Sequence, residues 1–211
     1  MDALECIESR RSVRKFRDAP VEFEKVGNVL NAGRFAPSAG NLQDWKFILV
    51  TEPDLRKQIA EACERQFWME IAPVHIVICN QPAKTERMYG KRGQEVYSIA
   101  NCAAVAQNML LAAHAQGLGA CWVGAFEEHM IRRALQMPDS ARPLAVIPLG
   151  YPEEEPRTPS KYALQEVTYI ERWGTRIKDL ATYYGYYSQH VAQAVKLGRE
   201  KLHKFLEKWS R

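Results

Sequence analysis

Residues 97–116 constrain the fold most, because they form the longest apolar helix in the chain. The stretch is dense in Ala, Met and Leu and carries few charges, so its helix should be buried nearly all round. Such a helix needs other elements packed on most of its sides, and the rest of the sequence offers them in alternation. Residues 2–9 and 21–35 read as helices, the second with Phe23, Val26, Val29, Leu30 and Phe35 near one stripe. Residues 45–50 read as a strand and 54–65 as a helix. Residues 73–79 are β-branched and almost continuously apolar, which predicts a central strand. Residues 81–94 are polar and irregular, a lid or surface excursion. Beyond the apolar helix come Gly117 and Gly119, a strand over 120–123, a short helix from Glu127 and a strand over 144–150. This alternation is not a strict βαβ series, so the expected class is α+β with helices flanking one sheet.

The 211 residues suit one domain with an appendage. Hydrophobic residues at 46% and charged residues at 26% exclude a disordered or collagen-like chain. No apolar run is expected to reach the roughly 18 residues of a membrane span. The opening Met1-Asp2-Ala3-Leu4-Glu5 lacks the basic-then-apolar pattern of a signal peptide, so the expected location is cytoplasmic. Cysteines 6, 63, 79, 102 and 121 are odd in number and have no CxxC spacing, which indicates core filler rather than disulfides or zinc. The histidines show no metal-binding spacing, so no metal is expected.

The net charge of +4 is concentrated at the end of the chain, where residues 171–211 hold nine Lys/Arg against four Asp/Glu. A solvated helix face accounts for this better than a nucleic-acid groove. Within it, a helix over about 188–208 places Val191, Val195 and Leu202 on one side, a stripe suited to clasping a second copy of the chain.

Three segments have the residue types of a binding site. Arg10-Arg11-Ser12-Val13-Arg14 offers guanidinium forks and a hydroxyl, which suit a phosphate but also occur on solvated faces. Pro37-Ser38-Ala39-Gly40-Asn41-Leu42-Gln43 offers a hydroxyl and two amides on a bent backbone, which suit a heterocycle or polyol and equally an ordinary capped turn. Gly117-Leu118-Gly119 ends a helix and opens a strand, the reverse of a dinucleotide fingerprint, so a C-cap is expected there. Gly124 follows the next strand and would let a flat ligand approach the backbone.

In order, residues 10–16, 36–47, 117–124 (Gly-Leu-Gly-Ala-Cys-Trp-Val-Gly) and 147–152 (Ile-Pro-Leu-Gly-Tyr-Pro) resemble the four signatures of the FMN-dependent nitroreductase family. The resemblance spans about residues 3–173. It implies a mostly antiparallel central sheet flanked by helices, an FMN-binding domain over 1–173 and a helical C-terminal extension over 174–211. It also implies a homodimer with two FMN sites at its interface. Arg10, Arg11, Ser12 and Arg14 would then hold the phosphate and ribityl chain. Pro37, Ser38, Ala39, Asn41 and Gln43 would reach the ring from the partner subunit. Trp122, Val123 and Gly124 would present backbone N–H groups near its N5, and Arg157 or Lys161 would close on the phosphate. Asp44 stands where the family often has proline, and a carboxylate facing the flavin would disfavour anionic substrates.

The implied activity is transfer of hydride from NAD(P)H to FMN and reduction of nitroaromatics, quinones or similar acceptors by a ping-pong mechanism, with no catalytic side chain nominated. The rival readings keep the flavin but change the acceptor (dehalogenase, enoate or flavin reductase) or remove turnover, leaving a sensor or storage module.

Overall fold

In the computed structural model, which describes residues 1–176 together with Gly185 and Lys196, four strands form one sheet in the order β1-β2-β4-β3. These are β1 (Trp45–Val50), β2 (Val74–Asn80), β3 (Gly119–Ala120) and β4 (Arg142–Gly150), and every neighbouring pair is antiparallel. The chain falls into two units, Met1–Thr158 and Pro159–Arg211. The sheet and its helices belong to the first.

All seven residues of β2 are buried, as its continuous apolar character predicts for a strand with neighbours on both sides and layers on both faces. Alternate residues of a strand point to opposite faces. Ile76 and Ile78 therefore join one core with Ile147 and Leu149 of β4, while Val77 and Cys79 join another with Val146. Helices α2 (Phe23–Arg34) and α5 (Ser98–Ala115) cover the first face through Val26, Val29, Val105 and Met109. Helices α3 (Pro53–Ala62) and α6 (Glu128–Ala134) cover the second through Ile59 and Ile131. The short α1 (Ala3–Ser9) is capped by Asp2, whose carboxylate accepts the Glu5 N–H at 2.9 Å.

Several boundaries differ from expectation. Phe23 and Phe35 are 78% and 71% exposed, because Phe23 opens α2 at its very end and Phe35 is the cap, off the helical spacing. Residues 81–94 are not irregular: α4 (Pro82–Arg92) starts with proline in its first turn, kinks at Gly90 and runs through a π turn (Gly93–Tyr97) into α5. Its polarity hid it, since only Thr85 of α4 is buried. The whole stretch Pro82–Ala115 is, contrary to expectation, long and apolar enough by length and composition to cross a membrane. Its apolar part is the core helix α5, which buries Cys102, Val105, Ala106, Met109 and Ala113 but leaves Ile99 42% exposed, so it is not buried all round. Helix α3 ends at Ala62 rather than Arg65, because Glu64 and Arg65 turn left-handed at φ 55° and 56°.

The helix end at Gly117 behaves as predicted. Gly117 has φ 73°, its N–H donates to His114 O at 3.0 Å, and the Leu118 N–H donates to Ala113 O at 2.9 Å. That pair of bonds is the Schellman cap. The strand expected over 120–123 is shorter, pairing at Gly119–Ala120 and again at Val123, whose N–H and carbonyl exchange bonds with Val146 at 2.9 Å. In the second unit, Glu166 Oε2 accepts the Ala163 N–H at 2.7 Å and the rings of Tyr169 and Trp173 lie 4.9 Å apart. The clasp expected over 188–208 lies outside the described residues.

All five cysteines are buried and free, and burial pushes the thiols of Cys63, Cys79 and Cys102 up to about 12. His75 on β2 is fully buried, donating from Nε2 to Met69 O at 2.9 Å with Nδ1 unpartnered. Burial, and secondarily the nearby Arg56, lowers its pKa from 6.5 to about 4, against the opposing Met69 bond. The folded chain therefore binds fewer protons than the unfolded one between those values. Stability is complete above about pH 6.5 and declines as pH falls towards 4, by about 3 kcal/mol at most. Urea midpoints at pH 7.5 and 5 should fall for the parent and fall less for His75→Gln, which keeps a donor for Met69 without ionising.

Candidate functional site

Past α1 the chain runs extended along the free edge of β3. Ser12 bridges Ala120 in parallel, and the Val13 N–H donates to Ala120 O at 3.0 Å. Val13 and Phe16 are buried, which anchors the segment. Gly119 makes this approach possible, since a Cβ there would lie 2.8 Å from Val13.

Arg10, Ser12 and Arg14 gather around Cys121. Burial raises the Cys121 pKa, while Arg14, a hydrogen bond with Ser12, and Arg10 all oppose the rise. At the end of α5, burial lowers the His114 pKa, with Arg10 and Arg11 adding to the effect. Arginine charge thus reaches both Cys121 and His114. Arg10 Nη1 is buried without any hydrogen-bond partner among the described residues. A buried guanidinium donor left open is costly unless an anion completes it, so the donor set fits a phosphate. Arg11 is already engaged: it donates to Glu8 O at 2.6 Å, Arg10 O at 2.9 Å and Thr158 Oγ1 at 3.0 Å. It therefore braces the loop carrying Arg157, which lies next to Thr158 and is exposed. A cleft of about 580 Å³ opens here, lined by Ser9, Arg11, His114 and Thr158 together with Glu5 and Glu154. Lys161 lies in the second unit and is exposed.

Directly after β3, Trp122 is 41% exposed. The Val123 N–H is taken by Val146, so the strand end can offer only the N–H groups of Trp122 and Gly124. A Cβ on Gly124 would meet nothing within 4 Å except the Trp122 indole, which leaves that backbone open to a flat ligand.

The 37–43 loop sits elsewhere. Gly40, Asn41 and Gln43 adopt φ 56°, 54° and 48°, a left-handed run held by local bonds. The Gln43 N–H donates to Ser38 Oγ at 3.1 Å, and Gln43 Nε2 donates to Asn41 Oδ1 at 3.1 Å. The loop is pinned to α5 by the Ala39 N–H, which donates to Asn101 Oδ1 at 2.9 Å. The arginine cluster lies at the other end of the same helix, by His114. Thirteen residues of α-helix separate these two anchors, about 20 Å at 1.5 Å per residue. One chain thus brings Arg10, Ser12 and Arg14 to Ala120 and Cys121, which Trp122 follows in the chain. It does not bring Pro37, Ser38, Ala39, Asn41 and Gln43 to them.

Asp44 is turned inward, so the condition under which it would disfavour anionic substrates is not met. It is fully buried and accepts hydrogen bonds from Ser98 Oγ and from Asn101 Nδ2, the latter at 2.6 Å. Asn101 and Ser98 escaped the sequence reading, although an asparagine inside the most apolar helix was the available signal. Cys121 is core filler as expected, packed with Val123, Ile131 and Val146, and it also lies within reach of the arginines.

A profile of the nitroreductase family matches residues 7–68 and 62–151. A Methanothermobacter thermautotrophicus protein with the provisional name NADH dehydrogenase/NAD(P)H nitroreductase is 36% identical over 177 residues, covering 82% of this chain and 88% of that protein. A Parabacteroides distasonis crystal structure with the same provisional name is 34% identical with a TM-score of 0.71, covering 80% of this chain and 98% of its own. An FMN-dependent nitroreductase from Clostridium difficile is 25% identical with a TM-score of 0.70, covering 81% and 99%. The chain belongs to the nitroreductase family, and its α+β architecture is the fold of those structures.

The loop geometry makes its own prediction. A Cβ on Gly40 would lie 2.5 Å from Tyr89 Oη and would force a side chain into left-handed backbone. Gly40→Ala should cost about 1–2 kcal/mol in a denaturant titration. Adding Tyr89→Phe, which removes the clashing hydroxyl, should recover part of it.

Proposed function

We infer that the chain is an NAD(P)H-dependent FMN oxidoreductase acting as a homodimer on nitroaromatics, quinones or similar electron-poor acceptors. The observation that carries this reading is Arg10, whose buried Nη1 has no partner and which stands with Ser12 and Arg14 at the edge of β3. When bound, FMN supplies the redox chemistry between the NAD(P)H hydride and the acceptor. The chain supplies binding, orientation and field.

Arg10, Ser12 and Arg14 hold the phosphate and ribityl chain, while Arg11 braces the 153–158 loop so that Arg157 stands nearby. Lys161 is the alternative closing cation. Trp122, Val123 and Gly124 border the ring, with the Trp122 and Gly124 N–H groups free to donate. The concentration of guanidinium charge favours negative charge developing in the site, as an oxyanion hole does. Cys121 stays a thiol there, because burial raises its pKa. We nominate no side chain among the described residues as general acid or base, and solvent supplies the protons. Donor and acceptor are both flat and occupy the same open face in turn, which is a ping-pong order. The separation of about 20 Å within one chain supports a dimer in which Pro37, Ser38, Ala39, Asn41 and Gln43 complete the partner's site. We assign residues 1–173 to the FMN-binding domain and 174–211 to an extension beyond it.

The purified protein should be yellow, release FMN on denaturation and give parallel initial-rate lines when NADH or NADPH is varied against nitroaromatics and quinones. A colourless protein that takes up no FMN overturns the reading. Intersecting lines overturn the ping-pong order, and only slow reduction by both nicotinamides favours a sensor.

Arg10→Ala removes a charge-assisted hydrogen bond worth about 1.5–3 kcal/mol and should weaken FMN about tenfold or more. Arg11→Ala should cost less, because its donors serve its own chain. Coexpressed Arg10→Ala and Asn41→Ala subunits should form mixed dimers with one intact and one doubly damaged site, binding one FMN tightly. Two equally weakened sites would show that both segments serve one subunit's flavin.

A further inference from the structure

At the root of the 37–43 loop lies a fully buried carboxylate with no cation beside it. No ion pair among the described residues involves Asp44. Its charge is met by a directed set of hydrogen bonds instead. Ser98 Oγ donates to Oδ2, and Asn101 Nδ2 donates to Oδ1 at 2.6 Å. Behind Ser98, Asn80 Nδ2 donates to its hydroxyl at 2.7 Å. On the other side, Asn101 Oδ1 accepts the Ala39 N–H at 2.9 Å.

Every member of this chain donates towards the carboxylate, and that fixes the Asn101 amide. Flipping it would set its NH₂ against the Ala39 N–H and its oxygen against the carboxylate, two mismatches at once. The consequence falls on Ala39, whose amide is held where the backbone enters its left-handed run. A role in the fold alone does not account for Asp44, since apolar side chains at 44, 98 and 101 together would fill the space without burying a charge or stranding a donor.

We propose that Asp44 is a positioning residue: through Asn101 it holds the 38–43 loop in the geometry that aims Ser38 and Asn41 at the partner subunit's flavin. This rests on the flavin role of that loop given above.

The test measures the FMN dissociation constant of the dimer by fluorescence quenching, with circular dichroism and unfolding midpoints recorded for each variant. Asn101→Asp sets two carboxylates face to face and should weaken FMN about tenfold in folded protein. Combining it with Asp44→Asn exchanges acid and amide. The Ser98 hydroxyl again meets an oxygen, the exchanged amide donates to the new carboxylate, and Ala39 keeps its acceptor. FMN affinity should return to within about threefold of the parent. In an Asn41→Ala background, Asn101→Asp should add little further loss, because the grip it disturbs is already gone.

If Asn101→Asp does not fold, Ser98→Ala replaces it, removing one donor from Asp44 and weakening FMN about threefold. Parental affinity in folded Asn101→Asp, or in folded Ser98→Ala where that variant replaces it, overturns the proposal. So does an exchange pair that regains stability without regaining FMN. Parental affinity in Asn41→Ala overturns the loop's flavin role itself. A weakened Asn41→Ala beside a parental Asn101→Asp overturns only the role of Asp44.

Discussion

The packing of α5 against the sheet is the contact on which the site depends. Val105, Ala106, Met109 and Ala113 are fully buried, in one core with Ile76, Ile78, Ile147 and Leu149. Burying large side chains such as Met109 and these isoleucines contributes about 1.5–3 kcal/mol each, enough to make the helix a rigid rod within the domain. Its two ends carry different polar arrangements. The first turns hold the 37–43 loop through Asn101, and the last turn meets the arginine segment at His114. The rigidity of the rod therefore becomes a fixed separation between the loop and the arginine segment. In the proposed dimer it is a second copy that closes that distance.

Much of this was legible in the sequence, because the strongest signals are those of burial. The run 73–79 read as a central strand and is one, with every residue of β2 inside. The Gly117 cap was legible from glycine chemistry, and the four signatures gave the family that the profile match confirms. Where burial is partial, the reading failed. Helix α4 buries one residue, so no apolar period marks it, and its kink at Gly90 breaks what pattern there is. The burial of Asp44 was not legible for the opposite reason: a carboxylate is ordinarily found facing solvent or a partner. Only the amide and hydroxyl on α5, more than fifty residues away in sequence, make its burial tolerable. Pairings over that distance are invisible to local patterns.

The arginine cluster shows how geometry adds what residue types leave open. Five cations in eight residues could have been a solvated face. The β3 edge sets their placement: Val13 is buried, and its neighbours Ser12 and Arg14 lie within reach of Cys121. Arg11 satisfies its donors on its own backbone and on Thr158, whereas Arg10 keeps a buried one open. Like charges brought this close repel one another, and the neighbouring thiol and imidazole register the field. An anion would relieve that repulsion, which is why the proposed phosphate role suits the cluster.

The loop at the other end of α5 has the same character. Asn41 and Gln43 stand in left-handed backbone, at about 1–3 kcal/mol each for residues outside their preferred region. Left alone, such a segment would relax into an ordinary turn. It is over-determined instead, by Ser38 and Asn41 accepting from Gln43 and by Asn101 accepting from Ala39. Strain of this kind persists only where bonds outside the loop hold it, and here those bonds lead to a buried carboxylate. At one end of the helix, then, the fold keeps a buried guanidinium donor open, and at the other it holds a left-handed loop whose polar side chains bond one another. Both cost stability locally, and the proposed function gives each a use: an anion completes the first, and a second subunit's site takes up the other.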